Sequence, residues 1–254
     1  MIDPVAFSLF GIDVKWYGIL IATGALLAVL LCMRREKRYE LPKDTSINLV
    51  LWAVPLALIC ARAYYVIFTW DYYRVHPDHI LRLRDGGIAI YGAILGGMLG
   101  ALLYAKRAKL SFLTLADLVA PGLALGQAIG RWGNFVNQEA YGEMITNPAW
   151  QFFPVAVYIE RQQAYFQATF FYESAWCFII VLILLILEKR GVFRRRGDCF
   201  FTYTLLYALE RSVVEGMRSD SLYWGPFRVS QLLSIAVGLA VVVYFITRRI
   251  RKKA

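Results

Sequence analysis

Apolar residues are gathered into seven runs, at 16–33, 47–70, 88–105, 112–130, 169–187, 199–216 and 229–247. A hydrocarbon core about 30 Å thick takes roughly 20 apolar residues in a helix. The runs at 88–105 and 199–216 are the shortest. In lipid every backbone polar group must be satisfied within the segment, which makes helix the expected conformation of each run. The expected fold class is an all-α polytopic membrane protein with seven transmembrane helices. An extracytoplasmic loop region, 131–168, lies between helices four and five. Runs and loops use up the length, so a single integral membrane domain over 1–254 is expected. Residues 1–15 are not a basic leader, and the first run reads as a retained helix.

Composition agrees with this pattern. The chain is 59% hydrophobic and 18% charged, where soluble domains are about 25% charged. A net charge of +10 raises the question of nucleic acid, but its distribution answers otherwise. Basic clusters occupy alternate connections: Arg34 to Lys43, Lys106 to Lys109, Lys189 to Arg196, and Arg248 to Lys253. These hold 18 Lys and Arg, against 8 on the opposite side. The positive-inside rule puts the clusters in the cytoplasm, the N-terminus outside and the C-terminus inside. Cys32, Cys60, Cys177 and Cys199 sit in or beside spans without metal-ligand spacing, and read as small buried apolar residues.

The polar residues within the spans share a level. With this topology, Tyr17, Arg62, Tyr91, Arg131, Glu173, Arg211, Glu215 and Gln231 all fall in the outer half, with Arg218 just beyond. The inner halves are mostly Leu, Val, Ile and Ala, apart from Asp117. Scattered structural hydrogen bonds would not need one level, so the clustering argues for a site. Arg211, Glu215 and Arg218 follow i, i+4, i+7 and share a helix face. An internal Arg211–Glu215 salt bridge and a functional role both remain open there. For Arg62 the alternatives are a structural ion pair and a place in the site.

The densest polar stretch is Gly130-Arg131-Trp132-Gly133-Asn134-Phe135-Val136-Asn137-Gln138-Glu139-Ala140-Tyr141-Gly142. It begins where the fourth apolar run stops. Its glycines let backbone approach a ligand, and its arginine offers a planar fork for phosphate or carboxylate. The asparagines and Glu139 can hold that fork or bind a second polar group. The rest of 131–168 is rich in aromatics, in part an interfacial belt. Within it, 153–159 reads either as a short strand or as an interfacial turn.

These residues resemble those of the prolipoprotein diacylglyceryl transferase family of bacterial inner-membrane enzymes. The thirteen-residue stretch is similar to the family signature Gly-Arg-x-Gly-Asn-Phe-x-Asn-x-Glu-x-x-Gly at all eight fixed positions. Trp16-Tyr17-Gly18, Ala61-Arg62-Ala63-Tyr64-Tyr65, the glycine-rich approach Gly86 to Gly92, Tyr172-Glu173 and Glu215-Gly216-Met217-Arg218 resemble further family elements. The resemblance implies seven membrane helices in the topology above. It implies transfer of the sn-1,2-diacylglyceryl group of phosphatidylglycerol to the lipobox cysteine of a preprolipoprotein, giving a thioether and glycerol phosphate. It also implies lipid-binding and turnover roles for Arg131 and Arg218, and importance for Tyr17, Asn134, Glu139 and Gly142. One departure stands out: Tyr91 occupies a position where well-known members carry a histidine proposed as the thiol's base. His76 and His79 lie in the 71–87 loop instead, and the segment before Tyr172 lacks the family's frequent His-Pro.

The implied reaction poses two problems. A thiol with pKa about 8.5 is mostly protonated near neutral pH, and the departing phosphate gains a second negative charge. Guanidinium groups stay charged and fork onto two oxygens. Arg131 and Arg218 are therefore assigned to the phosphate, with Arg62 and Arg211 in reserve, oriented by Glu173 and Glu215. Asn134 and Asn137 are assigned to the headgroup hydroxyls. Glu139, if shielded from water, is the candidate proton acceptor, and Tyr91 a hydrogen-bonding group. No cofactor and no metal are expected. The expected partners are phosphatidylglycerol, lipobox peptides and the bilayer, with no nucleic acid. A non-catalytic lipid-binding or transport protein is the alternative reading.

Overall fold

The computed structural model describes residues 3–9, 11–82, 86–218 and 223–250. Arg84 and the tail residues Arg251, Lys252 and Lys253, counted in the charge pattern, lie outside them. Every apolar run is helical. The helices are α1 (Trp16–Arg35), α2 (Thr45–Phe68), the single-turn α3 (Trp70–Tyr73), α4 (Ile90–Ala108), α5 (Phe112–Asn137), α6 (Thr169–Lys189), α7 (Asp198–Met217) and α8 (Val229–Ile250). Strands occur only as three two-stranded antiparallel hairpins among the described residues: β1 (Val5–Leu9) with β2 (Ile12–Lys15), β3 (Ala156–Ile159) with β4 (Ala164–Gln167), and β5 (Tyr223–Trp224) with β6 (Phe227–Arg228).

Five helices among the described residues, α1, α2, α5, α6 and α8, are long and apolar enough to cross a membrane. Helix α4 interrupts its apolar face with Gly92, Gly96, Gly97 and Gly100, and α7 carries Glu210, Arg211 and Glu215. Large apolar side chains such as Leu26, Leu51, Ile67, Ile94, Leu182 and Leu239 are exposed along the helices. Such faces need lipid or another apolar partner.

The chain divides into two compact units, Cys32–Leu118 and the remainder, Met1–Leu31 with Val119–Ala254. In the first, α2 packs against α4. A Cβ at Gly92, Gly96 or Gly100 would collide with the α2 backbone at Cys60, Leu56 and Trp52. Glycine every fourth residue thus brings two helices to backbone contact, a packing that needs no hydrophobic driving force. At the start of α2, the Glu36 carboxylate accepts the amide N–H groups of Asp44 (3.2 Å) and Ser46 (2.6 Å). Both are among the N-terminal amides that helix geometry leaves unpaired.

In the second unit, Ala120, Ala124, Ile180, Val181, Leu184, Cys199 and Tyr203 form a buried core that joins α5, α6 and α7. Helix α8 packs along α7. Helix α1 approaches α5 through small residues. A Cβ on Gly24 would press on Gly126, one on Gly130 on Ile21, and one on Gly133 would strike the Tyr17 ring. The stretch 153–159, open between strand and turn, forms β3 over Ala156–Ile159, with Ala156 opposite Gln167 and Ile159 opposite Ala164.

One boundary moves. Residues 131–137, expected at the start of the outer loop, are instead the last two turns of α5. Glycine and asparagine are weak helix formers, but here Gly130 and Gly133 admit α1 and Tyr17, so packing outweighs propensity. The loop begins at Gln138, whose φ of 51° ends the helix in a left-handed turn.

Candidate active site

The extension of α5 decides where Arg131 lies. As a loop residue it would sit at a rim. On the helix it faces α6, and its Nη2 pairs with Oε2 of Glu173. The Glu173 side chain is 1% exposed, and two more guanidinium groups converge on it. Arg211, from α7, places Nη1 3.2 Å from each carboxylate oxygen. Arg218, the residue that caps α7 in an extended conformation, places Nη1 3.7 Å from Oε1. Arg211 also pairs through Nη2 with Glu215 one turn on. The i, i+4, i+7 face of α7 is thus the face turned to α6, and the internal salt bridge left open by the sequence is present.

The cluster sets three positive charges against the two carboxylates they grip. The guanidinium side chains are partly accessible, Arg131 at 21%, Arg218 at 16% and Arg211 at 14%. Glu173 acts as a hub that gathers and orients cations which would otherwise repel. Strand β6 and helix α8 brace this end of α7: Arg228 Nη1 of β6 donates to the Glu215 carbonyl, and Gln231 Nε2 of α8 to that of Ser212 at 2.8 Å.

A second constellation lies further along α5. Glu139 Oε1 accepts from Asn134 Nδ2 (3.0 Å) and Asn137 Nδ2 (3.2 Å). Asn134 follows Arg131 by three positions and so shares its face. A small recess here is lined by Asn134, Phe135, Gln138, Glu139, Tyr141 and Phe170. Glu139 is exposed to solvent, which removes the shielding that the proton-acceptor assignment required. Its evident work is to orient two amides.

Other expected site residues have packing partners. Tyr17 lies against Gly133, with its side of the ring filling the space a Cβ would take. Gly142 is buried; its N–H donates to the Gln167 carbonyl at 3.0 Å, and a Cβ there would meet Gln167 and Thr169. The signature glycines thus serve close protein–protein approach, not the approach of backbone to ligand anticipated from sequence.

Arg62 and Tyr91 belong to the other compact unit. Arg62 is buried, and its hydrogen-bond partners among the described residues are all backbone carbonyls: Ile80 (2.8 Å), Gly86 (2.6 Å), Gly87 (2.9 Å), His79 (2.6 Å) and Arg82 (3.3 Å). Among the described residues a carbonyl cage, not the structural ion pair considered for it, surrounds Arg62 and ties 79–82 and 86–87 to α2. Tyr91 is 40% exposed, its ring 6.5 Å from that of Tyr64, and its hydroxyl has no hydrogen-bond partner among the described residues.

Sequence reasoning missed Glu210. It is buried on α7 beside Arg211, and neither carboxylate oxygen has a hydrogen-bond partner among the described residues. The available signal was its placement: a carboxylate inside an apolar run is a functional hint by default.

Comparison with known proteins bears on this geometry. Residues 4–247 match the family described as prolipoprotein diacylglyceryl transferase. The chain belongs to that family. Relatives from Bacillus cytotoxicus and Bacillus cereus, each named phosphatidylglycerol–prolipoprotein diacylglyceryl transferase, are 46% identical over 252 residues, 98% of this chain and 93% of theirs. A third of the same name and identity comes from Bacillus anthracis. The match extends through α5, α6 and α7, so the arginine cluster lies wholly within the shared region.

Proposed function

We propose that this protein transfers the diacylglyceryl group of phosphatidylglycerol to the lipobox cysteine of prolipoproteins, the first step of lipoprotein lipidation. Sulfur forms a bond to the terminal glyceryl carbon, the bond from that carbon to the phosphate oxygen breaks, and glycerol phosphate departs. The observation that carries the site assignment is the convergence of Arg131, Arg211 and Arg218 on buried Glu173. In a low-dielectric setting such preoriented donors stabilise charge that develops on a leaving group, without reorganisation at the moment of reaction. Arg131 and Arg218 grip the phosphate, and Arg211 and Glu215 fix their arrangement. Asn134 and Asn137, held by Glu139, receive the headgroup hydroxyls. Tyr17 and Gly142 shape the site by packing. Tyr91 contributes a hydrogen bond to a substrate.

The whole chain acts as one integral membrane domain of the bacterial inner membrane, with α1, α2 and α4 to α8 as seven spans. The basic clusters at the cytoplasmic ends of these helices support an N-terminus outside. Under this topology the arginine cluster lies in the outer half of the membrane, the level at which a secreted protein's cysteine arrives. A transporter would continue its polar groups across the membrane. Here the middle of α5 and α6 buries Leu118, Ala120, Ala124, Ile180, Val181 and Leu184, and the buried carboxylates Asp117 and Glu188 stay towards the ends of these helices away from the cluster. The test is to incubate purified protein with phosphatidylglycerol vesicles and a lipobox peptide. Mass spectrometry should find a diacylglyceryl peptide and one glycerol phosphate per adduct. Lipid binding without either product would sink the transferase reading.

A further inference from the structure

The acceptor thiol must lose a proton during transfer, and the carboxylates near the arginine cluster can be compared for the task. A carboxylate already in ion pairs is a poor base, because its charged form is held by its partners. Glu173 and Glu215 are engaged by guanidinium groups. Glu139 is clamped by two amides and open to water. Tyr91 belongs to the other compact unit. Glu210 differs from all of these. Both of its oxygens are buried and without a hydrogen-bond partner among the described residues, and unsatisfied buried polar atoms are rare in native proteins.

Its surroundings are those of the site. The ionisable groups within electrostatic reach are Arg131 from α5, Glu173 and Cys177 from α6, Tyr203, Tyr207 and Arg211 from its own helix, and Arg218 at that helix's end. The ionisable groups of the neighbouring α8 lie at its opposite end, where Arg248 pairs with Asp198 at the start of α7. Glu210 thus feels the three arginines assigned to the phosphate site, while its buried oxygens carry no hydrogen bond among the described residues that would compete for a proton.

We propose that Glu210 is the group that takes the proton of the acceptor thiol during diacylglyceryl transfer, a role that rests on the transferase reading above. The charges balance. The thiol proton passes to the Glu210 carboxylate and sulfur bonds to the glyceryl carbon. The carbon–oxygen bond breaks, and its electron pair leaves on the phosphate. Glu210 goes from one negative charge to none as the phosphate goes from one to two. The arginine cluster therefore meets the same total charge before and after the step, with no net charge moved into a low-dielectric site.

The test compares wild type, Glu210→Gln and Glu210→Asp in phosphatidylglycerol vesicles, each with a lipobox peptide carrying either cysteine or selenocysteine. A selenol is already ionised near neutral pH and needs no base. Glu210→Gln should slow transfer to the thiol by about 100-fold or more, the usual contribution of a positioned base, and leave transfer to the selenol within about threefold of wild type. Glu210→Asp should show the same thiol-specific loss to a smaller degree, and decides the matter if the glutamine variant does not fold. Equal slowing of both peptides, or no slowing of the thiol, overturns the proposal. If wild type modifies neither peptide, the transferase reading itself fails, and the role of Glu210 with it.

Discussion

Arg62 and Arg131 are both arginines set in long apolar helices, and their surroundings make them opposites. Arg62 gives its donors to five backbone carbonyls of one loop. All of these partners are main-chain atoms of the protein itself. Arg131 instead shares a single carboxylate with Arg211 and Arg218. Its fixed partner is a side chain rather than a loop's main chain, at a place partly open to its surroundings. An arginine surrounded by loop carbonyls fastens a fold, whereas arginines gathered on one side-chain carboxylate are those proposed to meet the lipid's anion.

The sharpest way to break this contrast is to remove the fork from the open cluster. Arg131→Ala should reduce thioether formation by about 1,000-fold, in line with losing a preorganised charge stabiliser, and Arg131→Lys should restore little because an ammonium has no fork. A purified Arg131→Ala enzyme with wild-type turnover on phosphatidylglycerol and a lipobox peptide would refute the role. Next in size is Glu173→Ala, which leaves three buried cations without their hub. Breaking a buried pair costs about 3–5 kcal/mol, so thermal unfolding should move clearly downward and turnover should fall with it. Unchanged stability would mean that Glu173 does not gather the cluster.

Arg62→Ala sharpens the contrast from the other side. Losing charge-assisted hydrogen bonds worth about 1.5–3 kcal/mol each should lower stability strongly, while the KM for phosphatidylglycerol in the surviving folded protein stays near wild type. A rise in KM of about tenfold would put Arg62 among the lipid-binding groups instead. Smaller again is Gly133→Ala, which forces the Tyr17 ring aside. Overpacking of this kind costs about 1–3 kcal/mol, read as a drop in melting temperature with partial loss of activity. Smallest is Tyr91→Phe, expected to lower turnover severalfold, with Tyr91→His keeping part of it. A silent Tyr91→Phe removes the hydroxyl from the mechanism.

Much of this was legible in the order of residues. Apolar runs foretold the long helices, and the i, i+4, i+7 spacing foretold the face of α7 that meets Glu173. What the pattern hid was tertiary. Propensity alone argues that Gly130-Arg131-Trp132-Gly133-Asn134 should leave the helix, and only the approach of α1 and Tyr17 shows why it does not. Backbone carbonyls carry no residue code, so the cage around Arg62 cannot be read from side chains. Glu210 hid beside Arg211 because an adjacent pair suggests neutralisation, although neighbours on a helix point about 100° apart.

Phosphatidylglycerol binding tests the central claim most directly, measured in phosphatidylcholine nanodiscs doped with increasing phosphatidylglycerol. Wild type, Arg62→Ala and the double variant Arg131→Ala/Arg218→Ala would be compared side by side. The gathered arginines predict that Arg62→Ala keeps wild-type affinity and that the double variant loses about 100-fold or more, roughly two charge-assisted contacts. Equal affinity in the double variant and wild type would contradict the assignment of the lipid phosphate to this cluster.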